Sequence, residues 1–283
     1  MLKFNRHYHP LTSRPYLSNS SYREYTPCEA LKPYIACFWE SELCRAQAKE
    51  PKLLVTPDTC TDIIIVINRT RQIVSAHLCG LDDQPMFVEQ ECNEDITKIA
   101  IRFYFWAFHL FFHVDMGEIV NQVWDIELID PSIRWEWEPL FYMNSSMERI
   151  TWVERYLLGK LTEREGCTAL YNSIDRIIET AGRASLKEIC EYSCVGQRQV
   201  QRLFNKNIGL SAKRISCLVR YQHVWRDMVN GEMFSIQEAV SRYDYADQEM
   251  CIRDRCLTFP TPARGQTPAA PSSGNTARRN TRK

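Results

Sequence analysis

The spacing of apolar residues changes once along the chain, and this change divides the sequence into two parts. Between residues 52 and 105, four β-branched or aromatic runs are separated by turn-forming residues: KLLVTPD, TDIIIVIN, RQIVSAHLCG and TKIAIRFYF. Such runs predict β-strands. From residue 167 onward the apolar residues recur every three or four positions, which predicts α-helices. We therefore expect an α+β fold in which a β-rich part precedes an all-α part.

The β-rich part is expected to be a small barrel or sandwich of the cupin-like kind, because its short strands follow one another closely. Its segment 28–40, CEALKPYIACFWE, fits either a short helix or a strand. Residues 116–160 have helical spacing, including GEIVNQVWDIEL and SSMERITWVERYLL. The most apolar run, residues 99–114, is too short to span a bilayer and contains an arginine and two histidines. It predicts a buried strand that leads into a buried loop or helix.

The all-α part contains the pattern of a helix-turn-helix. Ser185 is followed three residues later by Glu188, which is the signature of a capping box at the start of a helix. A short break at CVG separates this helix from a second one, QRQVQRLFNKN, which has its apolar residues on one face. The inward residues of the second helix are Val200, Leu203 and Phe204. A capped helix, a tight turn and a second amphipathic helix predict a helix-turn-helix.

The outward face of the second helix carries Arg198, Gln201 and Arg202. Arginine can bond guanine through two hydrogen bonds and glutamine can bond adenine, so this face fits a helix that reads bases in the major groove. The spacing alone fits a solvated face of an ordinary helical bundle about equally well.

The start of the helix-turn-helix recurs about fifty residues later. Ser235 and Glu238 repeat the capping-box signature after a long helical stretch, SAKRISCLVRYQHVWRDMV. The apolar positions that follow Ser235 match those that follow Ser185. The sequence therefore predicts two copies of one unit joined by a long helix.

Charge separates the same two parts of a chain whose net charge is zero. Residues 1–184 carry 19 Lys and Arg against 26 Asp and Glu, whereas residues 185–230 carry 8 against 3. A basic segment beside an acidic one is typical of a nucleic-acid-binding module joined to a part that does not bind nucleic acid.

The all-α part resembles the DNA-binding domain of AraC-type transcriptional regulators over residues 167–248. The residues that carry the resemblance are RLF, GLSAKR, VRYQ and Tyr-x-Asp-Gln within SLKEICEYSCVGQRQVQRLFNKNIGLSAKRISCLVRYQHV and SIQEAVSRYDYADQ. The front part is similar to one sensory domain found on such regulators, through LKPYIACFW, VTPDTCTDIIIVI and CGLDD. The resemblance implies a DNA-binding transcription regulator and not an enzyme.

The resemblance also implies roles for single residues. Base contacts fall on Arg198, Gln201 and Arg202. Backbone contacts, which position the protein without reading sequence, fall on Gly196, Gln197, Lys206, Lys213 and Arg214. Two positions depart from the family pattern. Gly196 replaces the usual serine at the start of the reading helix, and Asp244 stands where the family has a turn glycine, so we expect Asp244 to adopt a left-handed conformation.

We expect the following organisation: a lead-in at 1–25, a sensory domain at 26–160, a linker at 161–166, a DNA-binding domain at 167–248 and a tail at 249–283. Double-stranded DNA is the expected partner, the sensory domain is expected to bind a small molecule or a protein, and RNA polymerase is a further candidate partner. The oligomeric state is open, with a dimer among the options. We expect no cofactor, no metal and no membrane association. Without a visible signal peptide, a cytoplasmic location is expected.

Two alternatives stay open for the front part. A metal-dependent cupin-like enzyme would need ligands such as His109 and His113, which are four residues apart but lack a third ligand at convincing spacing. A thiol-based sensor of DNA alkylation or redox state would need clustered cysteines. The twelve cysteines include no Cys-x2-Cys pair, and the front four are spaced 9, 7 and 16 apart, at positions 28, 37, 44 and 60.

The end of the chain departs from the expected pattern after Gln248. The stretch EMCIRDR resembles the translation of a transposon-based sequencing adapter, and the remainder is rich in Pro, Thr and Arg without periodicity. We expect residues 249–283 to be non-native and disordered, which leaves the second reading helix incomplete. The alternative is a degraded native tail, because IRD and LTFPTPAR faintly resemble the family's continuation.

Overall fold

In the computed structural model, strands make up most of the regular structure of the front half, which is the described part of residues 8–161. The structure describes residues 8–10, 22–43, 52–89, 94–161, 167–230 and 235–245. The strands are β1 (Arg23–Tyr25), β2 (Ile35–Leu43), β3 (Lys52–Val55), β4 (Cys60–Asn68), β5 (Ile73–Cys79), β6 (Met86–Glu89), β7 (Ile96–Tyr104) and β8 (Val123–Asp125). The four runs predicted as strands correspond to β3, β4, β5 and β7, and segment 28–40 forms a turn that enters β2.

Six strands form one antiparallel sheet in the order β1-β2-β7-β4-β5-β8, and β3 pairs with β6 in a separate ribbon. The strand β7 lies between β2 and β4 and is buried along almost its whole length. This position accounts for its continuous apolar sequence, because a strand covered on both faces gains from apolar residues at every position. The predicted buried strand and buried loop at 99–114 are thus confirmed.

Helices follow the sheet and continue to the end of the described chain. They are α1 (Ile133–Trp137), α2 (Ser146–Lys160), α3 (Thr168–Glu179), α4 (Leu186–Ser193), α5 (Gln197–Ile208), α6 (Ala212–Val229) and α7 (Ile236–Arg242). The fold is therefore α+β, with a β-rich front half and an all-α part that contains two helix-turn-helix starts. Within the described residues, no helix combines the length and the apolar character needed to cross a membrane.

The prediction of a helix for GEIVNQVWDIEL, residues 117–128, is wrong. These residues form turns, the strand β8 and a 3-10 segment at Ile126–Leu128. Asn121 has a left-handed backbone with φ 56, which interrupts a right-handed helix. The strand β8 then completes the edge of the sheet by pairing with β5. Pairing with a distant strand decides the structure here, and helical spacing cannot reveal it.

Helix α2 is fixed to the sheet by a buried ion pair. Arg149 donates Nη1 to Oε1 of Glu40 at 3.1 Å, and both side chains are about 95% buried, at 4% and 5% exposure. Arg149 also donates Nη2 to the carbonyl of Met143 at 2.6 Å. The guanidinium is therefore satisfied by partners on both sides, as a buried charge requires.

Candidate nucleic-acid interface

The first helix-turn-helix comprises α4, a tight turn and α5. Ser185 accepts a hydrogen bond from the backbone of Glu188, and the Glu188 side chain accepts from the backbone of Ser185, which confirms the predicted capping box. Cys194 ends α4 with a left-handed backbone at φ 57. Gly196 then begins α5 without a side-chain cap, and Gly209 ends it at φ 85.

The second unit repeats this geometry fifty positions later. Ser235 accepts a hydrogen bond from the backbone of Glu238. Asp244 is left-handed at φ 52, as Cys194 is in the first unit, and this confirms the expectation for Asp244. The amide of Tyr245 donates to the carbonyl of Val240 at 3.1 Å, just as Val195 donates to Cys190 at 3.2 Å. The internal repeat seen in the sequence is therefore a repeat of backbone structure.

Helix α6 joins the two units. Its first half packs into the main core through Ile215, Leu218 and Val219. Its second half forms a separate core with α7 and the turn that follows, through Tyr221, Val224, Ala239, Tyr243 and Tyr245. Asp227 on α6 also accepts hydrogen bonds from Arg242 at 2.8 Å and from the hydroxyl of Tyr243 at 2.6 Å. The second unit is thus attached to α6 by both apolar and polar contacts.

The predicted reading face of α5 is exposed. Val200 and Phe204 are fully buried, whereas Arg198, Gln201 and Arg202 lie on the solvent side. Arg202 donates Nη2 to the amide oxygen of Gln199 at 2.6 Å, so its guanidinium lies along the helix surface. The arrangement presents two guanidinium groups and one amide on one exposed strip of a packed helix.

The five residues expected to contact the DNA backbone do not all face solvent. Gly196, Gln197, Lys206 and Lys213 are exposed. Arg214 is placed differently: its Nε donates to Oδ2 of Asp83 at 2.7 Å, so it bonds to the front half of the chain. No local sequence pattern indicates this pair, because the two residues are 131 positions apart. In this conformation, two nitrogens of the Arg214 guanidinium are bonded to Asp83.

Gly196 is open to substitution. A Cβ atom built on it would meet no other atom within 4 Å, and its backbone has the extended conformation of an N-cap, with φ −71 and ψ 160. We expect Gly196→Ser to raise the free energy of unfolding by about 0.5 kcal/mol, because serine adds the missing cap and restricts the unfolded chain. Urea denaturation tests this, with Ser185→Gly as the matched variant that should lower stability. A decrease in stability for Gly196→Ser would contradict the assignment of the cap.

The front half contains a buried cluster of charged side chains that no sequence pattern predicted. Arg102 on β7 forms ion pairs with Asp58 and with Asp62, the latter at 2.8 Å, and its side chain is 6% exposed. Burial raises the pKa of Asp62 to about 6, although Arg102 favours its ionised form. The signal in the sequence was an arginine within the most apolar run of the chain, which requires a buried acidic partner.

Asp82 lies beside this cluster, and the charged groups that act on it among the described residues are all carboxylates. Burial and the neighbouring carboxylates of Asp58, Asp62 and Asp83 raise the pKa of Asp82 to about 7. Since the folded pKa lies above the unfolded value, the contribution of Asp82 to stability is complete below about pH 4 and is lost as the pH rises to about 7.

We expect Asp82→Asn to flatten the pH dependence of stability. At pH 8 the variant should exceed the wild-type free energy of unfolding by about 2 kcal/mol, roughly half of the full linkage value because the carboxyl keeps some solvent contact. Below pH 4 the two proteins should be similar. Urea denaturation between pH 4 and pH 8 measures the difference, and Asp125→Asn on the sheet edge is the control. Equal stabilities at pH 8 would contradict the assigned burial of this charge.

The structure places the candidate metal and thiol groups apart from one another. His109 is buried in a 3-10 segment, whereas His113 is exposed, so the two do not share a helix face. Among the described residues, no three His, Cys, Asp or Glu side chains are grouped to hold a metal ion. Burial raises the pKa of Cys37 and of Cys79 to about 12. These two thiols are thus protonated at neutral pH and are poor nucleophiles.

An open groove with a volume of about 360 Å³ lies between α1 and α2. The side chain of Arg155 lies 4.3 Å above the ring of Trp152 at this groove. Lys160 on the same side is paired with Asp130, whose pKa is lowered to about 2 because hydrogen bonds from Lys160, Ser132 and Tyr156 outweigh its partial burial. The groove is a candidate ligand site in the front half.

Comparison with known proteins adds one family match and two structural similarities. A family profile described as "Domain of unknown function (DUF6597)" matches residues 23–125, which run from the first residue of β1 to the last residue of β8. No curated protein sequence matches the chain significantly.

Two crystal structures of ToxT from Vibrio cholerae O395 are similar to the chain. One has 11% identity and a TM-score of 0.37, and the similarity covers 83% of this chain and 90% of that one. The other is ToxT bound to (E)-4-(8-methylnaphthalen-1-yl)but-3-enoic acid, with 10% identity, a TM-score of 0.38 and coverage of 83% and 93%.

Proposed function

We propose that the chain is a sequence-specific DNA-binding transcription regulator of the AraC type. The observation that carries this proposal is the repeated helix-turn-helix start, in which a capped helix, a left-handed turn residue and the same turn hydrogen bond recur fifty positions apart. Such a repeat spaces two reading helices along one side of a duplex.

The proposed reading helix is α5. Arg198, Gln201 and Arg202 contact base edges in the major groove, because they occupy the exposed strip of a helix whose opposite face is buried. The proposed phosphate contacts are Lys206, Lys213 and Arg214, together with the start of α5 at Gly196 and Gln197. That start has no side-chain cap, and uncapped backbone N–H groups at a helix N-terminus suit a phosphate.

We further propose that residues 26–160 form the sensory domain, that 161–166 link it to the DNA-binding domain at 167–248, and that the front half binds a small molecule or a partner. The end of α2 at Lys160 and the start of α3 at Thr168 support this division. The proposed linker falls almost entirely outside the described residues, as does the chain from 246 to its end, including the tail at 249–283.

Salt dependence of DNA binding tests the proposal. The full chain should bind a fluorescent duplex of mixed sequence with log K falling linearly against log salt, and Lys206→Gln and Lys213→Gln should each reduce the slope by about 1. Lys32→Gln in the front half is the matched control and should leave the slope unchanged. Binding that does not change with salt, or no binding, would exclude the proposal.

A further inference from the structure

The front half holds the first helix-turn-helix at the junction between α5 and α6. At this junction Gly209 lies so close to the loop 115–122 that an added Cβ would be 2.2 Å from the carbonyl oxygen of Met116. Arg214, in the first turn of α6, contacts Asp83 in the loop 80–85, which joins β5 to β6. The two loops are themselves joined, because the amide of Asn121 donates to the carbonyl of Leu81 at 3.1 Å. One continuous surface of the front half therefore supports the end of the reading helix.

Asp83 is held in position to receive Arg214. The Asn121 side chain donates to Oδ1 of Asp83 at 2.8 Å and accepts from the Asp83 amide at 3.0 Å. Oδ2 of Asp83 then remains for Arg214 Nε, and the Asp83 carbonyl accepts from Nη2 of Arg214 at 2.5 Å. Asn121 achieves this position with a left-handed backbone, which asparagine tolerates better than most residues.

The pair is shielded from solvent. The side chain of Asp83 is 15% exposed and that of Arg214 is 27% exposed, so their attraction is screened less than that of a surface pair. Two hydrogen bonds from one guanidinium edge add direction to the charge attraction. The contact is thus stronger and more specific than an ordinary surface ion pair.

The guanidinium edge of Arg214 that bonds to Asp83, formed by Nε and Nη2, is also the edge that would bond to a phosphate. Nε and Nη2 form a fork that matches two oxygens of a carboxylate or of a phosphate, but it can serve only one of them at a time. Lys213, the neighbouring residue, stays exposed. We propose that Asp83 competes with DNA phosphate for Arg214, so that docking of the front half weakens DNA binding, and DNA binding weakens docking by the same factor. This inference rests on the proposed DNA-binding function.

Loss of the Asp83 charge is expected to strengthen DNA binding. In fluorescence anisotropy with the full chain and a mixed-sequence duplex, Asp83→Asn should bind about fivefold or more tightly than wild type, the lower end of usual coupling between sites. Glu118→Gln removes a charge from the exposed side of the neighbouring loop 115–122 and should change affinity by less than about twofold. Asn121→Gly keeps the Asp83 charge but loses its support, so it should show a smaller gain in the same direction.

A double-mutant cycle separates competition for Arg214 from a general effect of charge. In an Arg214→Met background, Asp83→Asn should no longer change DNA affinity by more than about twofold. Amide hydrogen exchange gives a second readout: Asp83→Asn, and DNA added to wild type, should both speed exchange in 115–122 and leave the central strand β7 unchanged.

The outcomes distinguish this inference from the proposed function. If wild type binds DNA with a steep salt dependence but Asp83→Asn gains no more than Glu118→Gln, the competition is refuted while the DNA-binding function stands. A gain that persists in the Arg214→Met background refutes it equally. If none of the variants binds DNA, both proposals fail. Thermal midpoints of each variant verify that the compared proteins are folded.

Discussion

Arg102→Met is expected to lower the free energy of unfolding by about 3–5 kcal/mol at pH 7, the usual cost of removing one partner of a buried ion pair. The substitution keeps the apolar length of the side chain but leaves Asp58 and Asp62 buried without their cation. Both carboxylates lie on or beside β4 at the centre of the sheet and are only 14% and 15% exposed, so water offsets little of the lost charge. A loss of this size approaches the whole stability of many domains.

The deficit should shrink as the pH falls. Burial already raises the pKa of Asp62 to about 6, so protonation near pH 5 removes one of the unpaired charges in the variant. Urea denaturation at pH 5 and pH 7 measures this change. Arg198→Met is the matched control, because Arg198 is exposed and its loss should change stability by less than about 0.5 kcal/mol. A variant within 1 kcal/mol of wild type, or a deficit that is equal at both values of pH, would contradict the ion-pair assignment.

The second large effect concerns DNA recognition. Replacing Arg198, Gln201 and Arg202 together by alanine should weaken binding to a preferred site by at least about 100-fold, since each well-formed contact to a base contributes about 1–3 kcal/mol. Folding should be unaffected, because all three side chains lie on the exposed strip of α5 and the buried face is unchanged. Fluorescence anisotropy measures the loss of affinity, with the duplex site that the wild-type chain selects from a random library.

A control separates base reading from loss of positive charge. Arg134 and Arg155 are exposed in the front half, and their replacement by alanine removes the same formal charge away from α5. This control should change affinity by less than about threefold at physiological salt, where exposed charges are screened over about 8 Å. Equal losses in the two variants would remove α5 from the interface.

Local signals were enough to predict the helix-turn-helix from the sequence. The Ser185 capping box, the turn at CVG and the buried positions Val200 and Phe204 all lie within twenty residues, and each follows from backbone hydrogen bonding or helical period. The left-handed conformation of Asp244 was expected from the family resemblance, because Asp244 stands where the family has a turn glycine. The residues of the candidate reading face follow directly from which side of α5 is apolar.

Contacts between distant residues could not be predicted. The segment 117–128 has helical spacing, but the pairing of β8 with β5 decides its structure. The Asp83–Arg214 pair joins positions that no local pattern connects, so the sequence predicts for Arg214 the same DNA backbone contact as for Lys213. For the same reason, the sequence does not predict the cluster of Arg102 with Asp58 and Asp62. An arginine within an apolar run indicates only that some buried acidic partner exists.

Selection from a random duplex library tests the central claim most directly. The full chain should enrich a defined base motif, Arg198→Ala and Arg202→Ala should each relax the preference at one position of it, and Lys206→Gln should leave the motif unchanged while weakening binding. The proposal that α5 reads DNA sequence would be contradicted if the wild-type chain enriched no motif. It would also be contradicted if both arginine variants enriched the wild-type motif unchanged.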